Sequence, residues 1–207
     1  DAGSFDWKSG NFPLFTEPDP NYHGLRWAYD LPEELASAAF ALRLRTVPLR
    51  NLGAAVSPDN AWIFLQGTET LPLRMERHSE NALKVAEFLV NDERVSWVRY
   101  PGLPEHPAHE TAKKYLKKGF GGMVVFGIKG GYDAAVKLID NIELISHLAN
   151  VGDAKSLILH PSSTSHSQLT EEQQRESGLT PDLIRPSVGL EHTDDTVPAL
   201  DKGLPAA

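Results

Sequence analysis

Arg185 stands in the run Leu183-Ile184-Arg185-Pro186-Ser187-Val188, an isolated guanidinium among apolar residues. Such a cation is rarely buried without a partner, and its planar fork matches a carboxylate. Upstream, the stretch from Asn150 to His166 gathers Asp153, His160, four consecutive hydroxyls at 162–165 and His166. The two segments read as halves of one anion site, against the plainer reading of a surface arginine or a structural ion pair. His160 and His166 could pair with Asp153 or Glu191 for acid/base work, because imidazole titrates nearest neutrality. A core histidine bonded to backbone is the competing reading. The hydroxyls have no Gly-x-Ser-x-Gly elbow to make a nucleophile and look instead like hydrogen-bond donors. Gly152-Asp153 predicts a turn where a helix stops. His106 and His109 imitate a metal pair, but no third ligand has a matching spacing and Pro107 disturbs the helical face, so no metal is expected.

These residues need a frame. Residues 1–30 carry seven aromatic residues, Phe5 to Tyr29, among Gly, Pro, Asn and Asp, which predicts an irregular segment pinned by its rings against a larger body. Pro32 with Glu33 and Glu34 opens a helix, and Ser57-Pro58 opens another. Leu73, Ala82, Leu83, Ala86 and Leu89 draw an apolar stripe that ends near Asn91. The pattern then alternates: strand 95–100, helix 104–118, strand 121–130, helix 133–149, strand 156–160, a polar helix 168–177, the strand from Leu183, and a last helix from Thr193. Strands separated by helices imply an α/β or α+β layer, one sheet with helices packed on it. The expected division is 1–92 and 93–207. Pro186 removes a strand donor and predicts an edge or a bulge beside Arg185.

The 207 residues, 41% of them hydrophobic, suffice for a real core. A net charge of −8 argues against a nucleic-acid partner, and the cluster Lys113, Lys114, Lys117 and Lys118 reads as a solvated helix face. No apolar stretch has the ~20 residues that span a bilayer. The absence of cysteine excludes disulfides and thiol nucleophiles and fits a reducing, cytoplasmic setting.

The runs VPLRNLGAAVSPDNAWIFLQGTETLPLRMERHSENALKVAEFL, NVGDAKSLILHPSSTSHSQL and IRPSVGLEHTDD resemble the carboxyl-terminal half of the O-acetylhomoserine sulfhydrylases, pyridoxal-phosphate enzymes of cysteine and methionine metabolism. Asn150-Val151-Gly152-Asp153 is similar to the sulfhydrylase version; cystathionine synthases and lyases usually have Ser-Leu-Gly-Gly-like residues there. The resemblance implies the carboxyl-terminal part of an aspartate-aminotransferase-like (fold type I) enzyme, with a small mixed or antiparallel sheet covered by helices. It implies that Arg185 binds the substrate α-carboxylate, that Asn150 lines the same pocket, and that Ser165 stands where relatives carry a Thr. Asp59 departs from the usual aromatic in its turn. It further implies γ-replacement of acetate in O-acetyl-L-homoserine by sulfide, pyridoxal 5'-phosphate as cofactor, and a homotetramer. None of the ten lysines sits in the family's Ser-x-Thr-Lys run, so the resemblance puts the cofactor lysine in a missing amino-terminal half. Two alternatives stay open: a cystathionine γ-synthase or γ-lyase fragment, and a non-catalytic α/β association domain.

Overall fold

A computed structural model describes residues 3–204, so Asp1 and Ala2 of the opening run lie outside it. Two compact units emerge, Asp1–Phe64 and Leu65–Ala207. The second begins ahead of the long stripe-bearing helix, which packs with the sheet.

In the first unit the aromatic residues pack chiefly on one another. Phe15, Trp27 and Val47 are buried, with Trp7, Phe12, Tyr22 and Leu42 around them, and Trp7 stacks on Phe15 at 4.3 Å. Trp27 Nε1 donates to Asp19 at 2.9 Å. Burial alone would raise that carboxyl's pKa, but bonds from Trp27 and Asn21 and the nearby Arg43 hold it below its ordinary value. Helical pieces α1 (Pro13–Thr16), α2 (Glu33–Ala36), α3 (Ala39–Leu44) and α4 (Arg50–Leu52) belong here. Between α3 and α4 the helix widens into a π turn, Arg45–Leu49, around Pro48, which has no N–H to donate. Helix α5 (Pro58–Glu69) buries no residue, and Trp62, Ile63 and Phe64 are exposed on it.

The second unit is a five-stranded sheet with its main hydrophobic core on one face. The strands are β1 (Val95–Arg99), β2 (Val125–Ile128), β3 (Ser146–His147), β4 (Leu157–Leu159) and β5 (Leu183–Ser187), in the order β1-β2-β5-β4-β3. All neighbours are antiparallel except β3 with β4. The core cluster takes Ala82, Val85, Ala86 and Leu89 from α6 (Leu71–Val90) and Ala134, Ala135, Leu138 and Ile139 from α8 (Gly131–Asn141). Leu200 of α10 (Thr193–Gly203) completes the helical side. Against them stand Val95, Phe126, Ile128, Ile158, Ile184 and Val188 of the sheet. Because side chains alternate across a strand, and a register shift between Val95 and Trp97 moves the rest of β1 by one place, Trp97, Arg99, Val125, Gly127, Leu157, Leu159, Leu183, Arg185 and Ser187 belong to the opposite face.

Several expected elements are shorter. The predicted helix over 104–118 is α7 (His109–Tyr115), since Pro104 and Pro107 hold the start in turns. The predicted strand over 121–130 shrinks to β2 because Gly121 adopts a left-handed φ of 81°. The helix expected over 133–149 stops at Asn141: Ile142 is extended, and Ser146–His147 joins the sheet instead.

Candidate functional site

β5 lies at the centre of the sheet, not at its edge. Arg185 is level with Leu159 of β4, and the Met123–Ser187 bridge continues the register that puts Val125 beside it on the β2 side. Pro186 is accommodated without the expected edge position. Its carbonyl still accepts from Val124 N–H at 3.2 Å and pairing resumes beyond it, with Val188 N–H donating to the Gly122 carbonyl at 2.8 Å, so the missing proline N–H costs the ladder a single bond.

The guanidinium of Arg185 is half-buried and has no ion-pair or hydrogen-bond partner among the described residues; its Nε is fully buried and unbonded. A neutral donor in that position is costly and a cationic one more so. The arrangement calls for an anion supplied from outside.

Two loops flank β5. The first, carrying Asn150, is tied to the strand's carboxyl end: Gly152 N–H donates to Ser187 Oγ at 3.4 Å, and Leu190 N–H to the Ala154 carbonyl at 2.8 Å. Gly152 has the left-handed φ, 74°, of the predicted turn. Asn150 is exposed and its Oδ1 accepts from Val151 N–H. The second loop follows β4 as a 3-10 turn, Pro161–Ser163. Ser165 is exposed and hydrogen-bonded to its neighbour His166 Nδ1 at 2.8 Å. Among the described residues no hydrogen bond joins Arg185 to Asn150 or Ser165; the three are brought around one strand, not into one contact.

Of the histidine candidates, His160 is held as a structural residue. His160 is buried, its Nε2 facing the Pro181 carbonyl at 2.8 Å and its Nδ1 facing Ser163 Oγ at 2.9 Å, which fixes the neutral Nε2–H tautomer. Burial holds its pKa below the ordinary 6.5, only partly opposed by the Pro181 bond and Asp182. Asp153 accepts from Lys155 N–H and Glu191 from Ser156, so neither serves a histidine. His106 Nδ1 accepts from Ala108 N–H, His109 Nδ1 bonds the Pro101 carbonyl, and no group of metal-ligating side chains occurs among the described residues.

Other residues that shape this region carried no visible signal in the sequence. Asn81 donates to the Gly189 and Glu191 carbonyls, and His78 Nδ1 to the Val188 carbonyl at 2.6 Å, so α6 anchors the segment leaving β5. Gln174, in α9 (Glu171–Glu176), donates to the His166 carbonyl at 2.9 Å and holds the Ser165 loop. The Thr170–Gln173 capping box that starts α9 could have been found from its spacing.

With this geometry in place, comparison with known proteins gives a decisive match. A family profile described as Cys/Met metabolism PLP-dependent enzyme covers residues 29–205. The chain belongs to this family. Within the Cys/Met metabolism PLP-dependent enzymes it is 54% identical to an O-acetyl-L-homoserine sulfhydrylase of Leptospira meyeri, over 99% of this chain and 47% of that protein. It is 50% identical to O-acetyl-L-homoserine sulfhydrylase 1 of Thermus thermophilus, over 99% of this chain and 48% of the relative. A Campylobacter jejuni structure, described as an O-acetylhomoserine (thiol)-lyase with N'-pyridoxyl-lysine-5'-monophosphate, superposes with a TM-score of 0.78. It is 43% identical, over 93% of this chain and 45% of that one. The chain thus spans about half the length of the curated relatives it matches.

The family's cofactor puts a question to these residues. None of the five strands carries a lysine, so the sheet offers the cofactor no covalent anchor. Arg185, with its unbonded buried Nε, is suited to an anionic group.

Proposed function

We propose that this chain supplies the substrate-carboxylate seat of an O-acetylhomoserine sulfhydrylase, which makes homocysteine and acetate from O-acetyl-L-homoserine and sulfide by γ-replacement. The observation that carries the reading is the half-buried Arg185 with its buried, unbonded Nε, in a chain about half identical to sulfhydrylases. Pyridoxal phosphate, when bound, supplies the electron sink that makes proton loss at Cα and Cβ feasible. Arg185 takes the α-carboxylate through a two-pronged, charge-assisted contact and so fixes which Cα bond is presented for cleavage. Asn150 and Ser165, exposed on the two flanking loops, line the same seat with an amide and a hydroxyl. The lysine that anchors the cofactor is contributed from outside these 207 residues. A cytoplasmic location and a homotetramer accompany the reading; exposed Trp62, Ile63 and Phe64 are the kind of surface an assembly covers.

The test is an acceptor assay on the full-length enzyme. O-acetyl-L-homoserine offered with equal sulfide and cysteine should yield homocysteine and acetate. Cystathionine as the dominant product would replace this reading with that of a cystathionine synthase.

A further inference from the structure

Between the Asn150 loop and the strand of Arg185 lies a hydrogen-bonded knot that the carboxylate seat does not itself use. The Glu191 carboxylate accepts from the backbone N–H of Ser156 at 2.7 Å and from its hydroxyl at 2.8 Å. The same hydroxyl accepts from Gly189 N–H at 2.8 Å, and Asn81 holds the Gly189 and Glu191 carbonyls from α6. Gly189 is packed so tightly here that a Cβ would collide with Ser156 N and Glu191 Oε2. Bonds to an ionised carboxylate are the shorter and stronger class, whereas the loop's other side-chain tether to β5, Gly152 to Ser187, is long at 3.4 Å. Asn150, Val151 and Gly152 are exposed and contribute little packing of their own. The loop's distance from β5 is therefore set mainly at its base, where Ser156, beside the 2.8 Å backbone bond from Leu190 to Ala154, meets the segment that leaves the strand.

We propose that Ser156 and Glu191 are positioning residues: their contact sets how closely the Asn150 loop approaches Arg185, and through it how strongly the enzyme prefers a free α-carboxylate. This rests on the carboxylate reading of Arg185. The experiment compares binding of L-norvaline and L-norvalinamide to the full-length holoenzyme by calorimetry, since the amide lacks the acid and neither probe carries a leaving group. In Ser156→Ala and Glu191→Gln the preference for the acid should fall about tenfold, while affinity for the amide changes less than about twofold. Equal weakening of both probes, or a lower unfolding temperature with the preference intact, overturns the proposal. Should Glu191→Gln fail to fold, Ser156→Ala, which keeps the backbone bond to Glu191, decides alone. Arg185→Ala separates the two claims. If it retains the preference, the carboxylate reading fails; if it loses the preference while the other two variants keep it, only the positioning role fails.

Discussion

Replacing Arg185 by Met should make the enzyme worse at its reaction and no less stable. In the free protein the buried Nε has no partner, and an unsatisfied buried donor costs about 1–3 kcal/mol. The side chain is only half-buried and its two Nη groups keep contact with solvent, so the gain on removing it lies near the lower end, about 1 kcal/mol. Met roughly conserves the volume beside Leu159 and Val125, which limits any cavity penalty. The catalytic side has the opposite sign. Two charge-assisted bonds to a carboxylate, each worth ~1.5–3 kcal/mol, suggest a loss of about 3–4 kcal/mol once water replaces part of the contact. At 1.4 kcal/mol per decade, kcat/KM for O-acetyl-L-homoserine should drop about 10²–10³-fold. The assay pairs steady-state kinetics with thermal unfolding of the full-length enzyme, and the cofactor's absorbance should persist because its lysine is elsewhere. Unchanged kinetics, or a variant that unfolds several degrees earlier, would refute the reasoning: the guanidinium would then have a structural partner.

Gly127→Ala should lower stability by about 1–3 kcal/mol, the usual cost of overpacking, because a Cβ there runs into the Trp97 indole nitrogen and the Asp182 carboxylate and breaks the 3.0 Å bond between them. A urea midpoint equal to wild type would contradict it. His160 gives a pH dependence: the unfolded chain takes up a proton near pH 6.5 while the buried imidazole resists until lower pH. Stability from this group is therefore full above 6.5 and is lost as pH falls toward the depressed folded value. His160→Gln should flatten that part of the stability profile, and an unchanged slope between pH 7 and 5 would show that His160 is not responsible.

How much of this could be read along the chain depended on the range of the interaction concerned. Helix α6 was legible because its stripe is a local pattern, and Arg185 stood out because a lone cation in an apolar run is anomalous wherever it occurs. The truncation of the predicted helix at Asn141 was not legible, since what stops it is the pairing of Ser146–His147 with Leu157–Ile158, a contact the helical pattern does not encode. The Ser156–Glu191 bond and the Asn81 anchor join residues far apart in sequence, and each is an ordinary polar residue on its own. Pro186 misled for a related reason: a central strand tolerates the loss of one donor when the pairs on either side of it, Val124 to Pro186 and Val188 to Gly122, are kept, and those depend on a distant segment. The early aromatic residues were seen as anchors, yet what they grip is largely one another.

The alternation along β5 has an evolutionary corollary. Ile184 and Val188 pack toward the helices beneath while Arg185, between them, does not; on the proposed carboxylate role, adjacent codons would then be under unrelated selection. Drift at the first kind yields heat-sensitive alleles that still recognise their acid, and drift at the second yields robust proteins blind to it. A lineage could therefore retune what it accepts without re-solving how it folds.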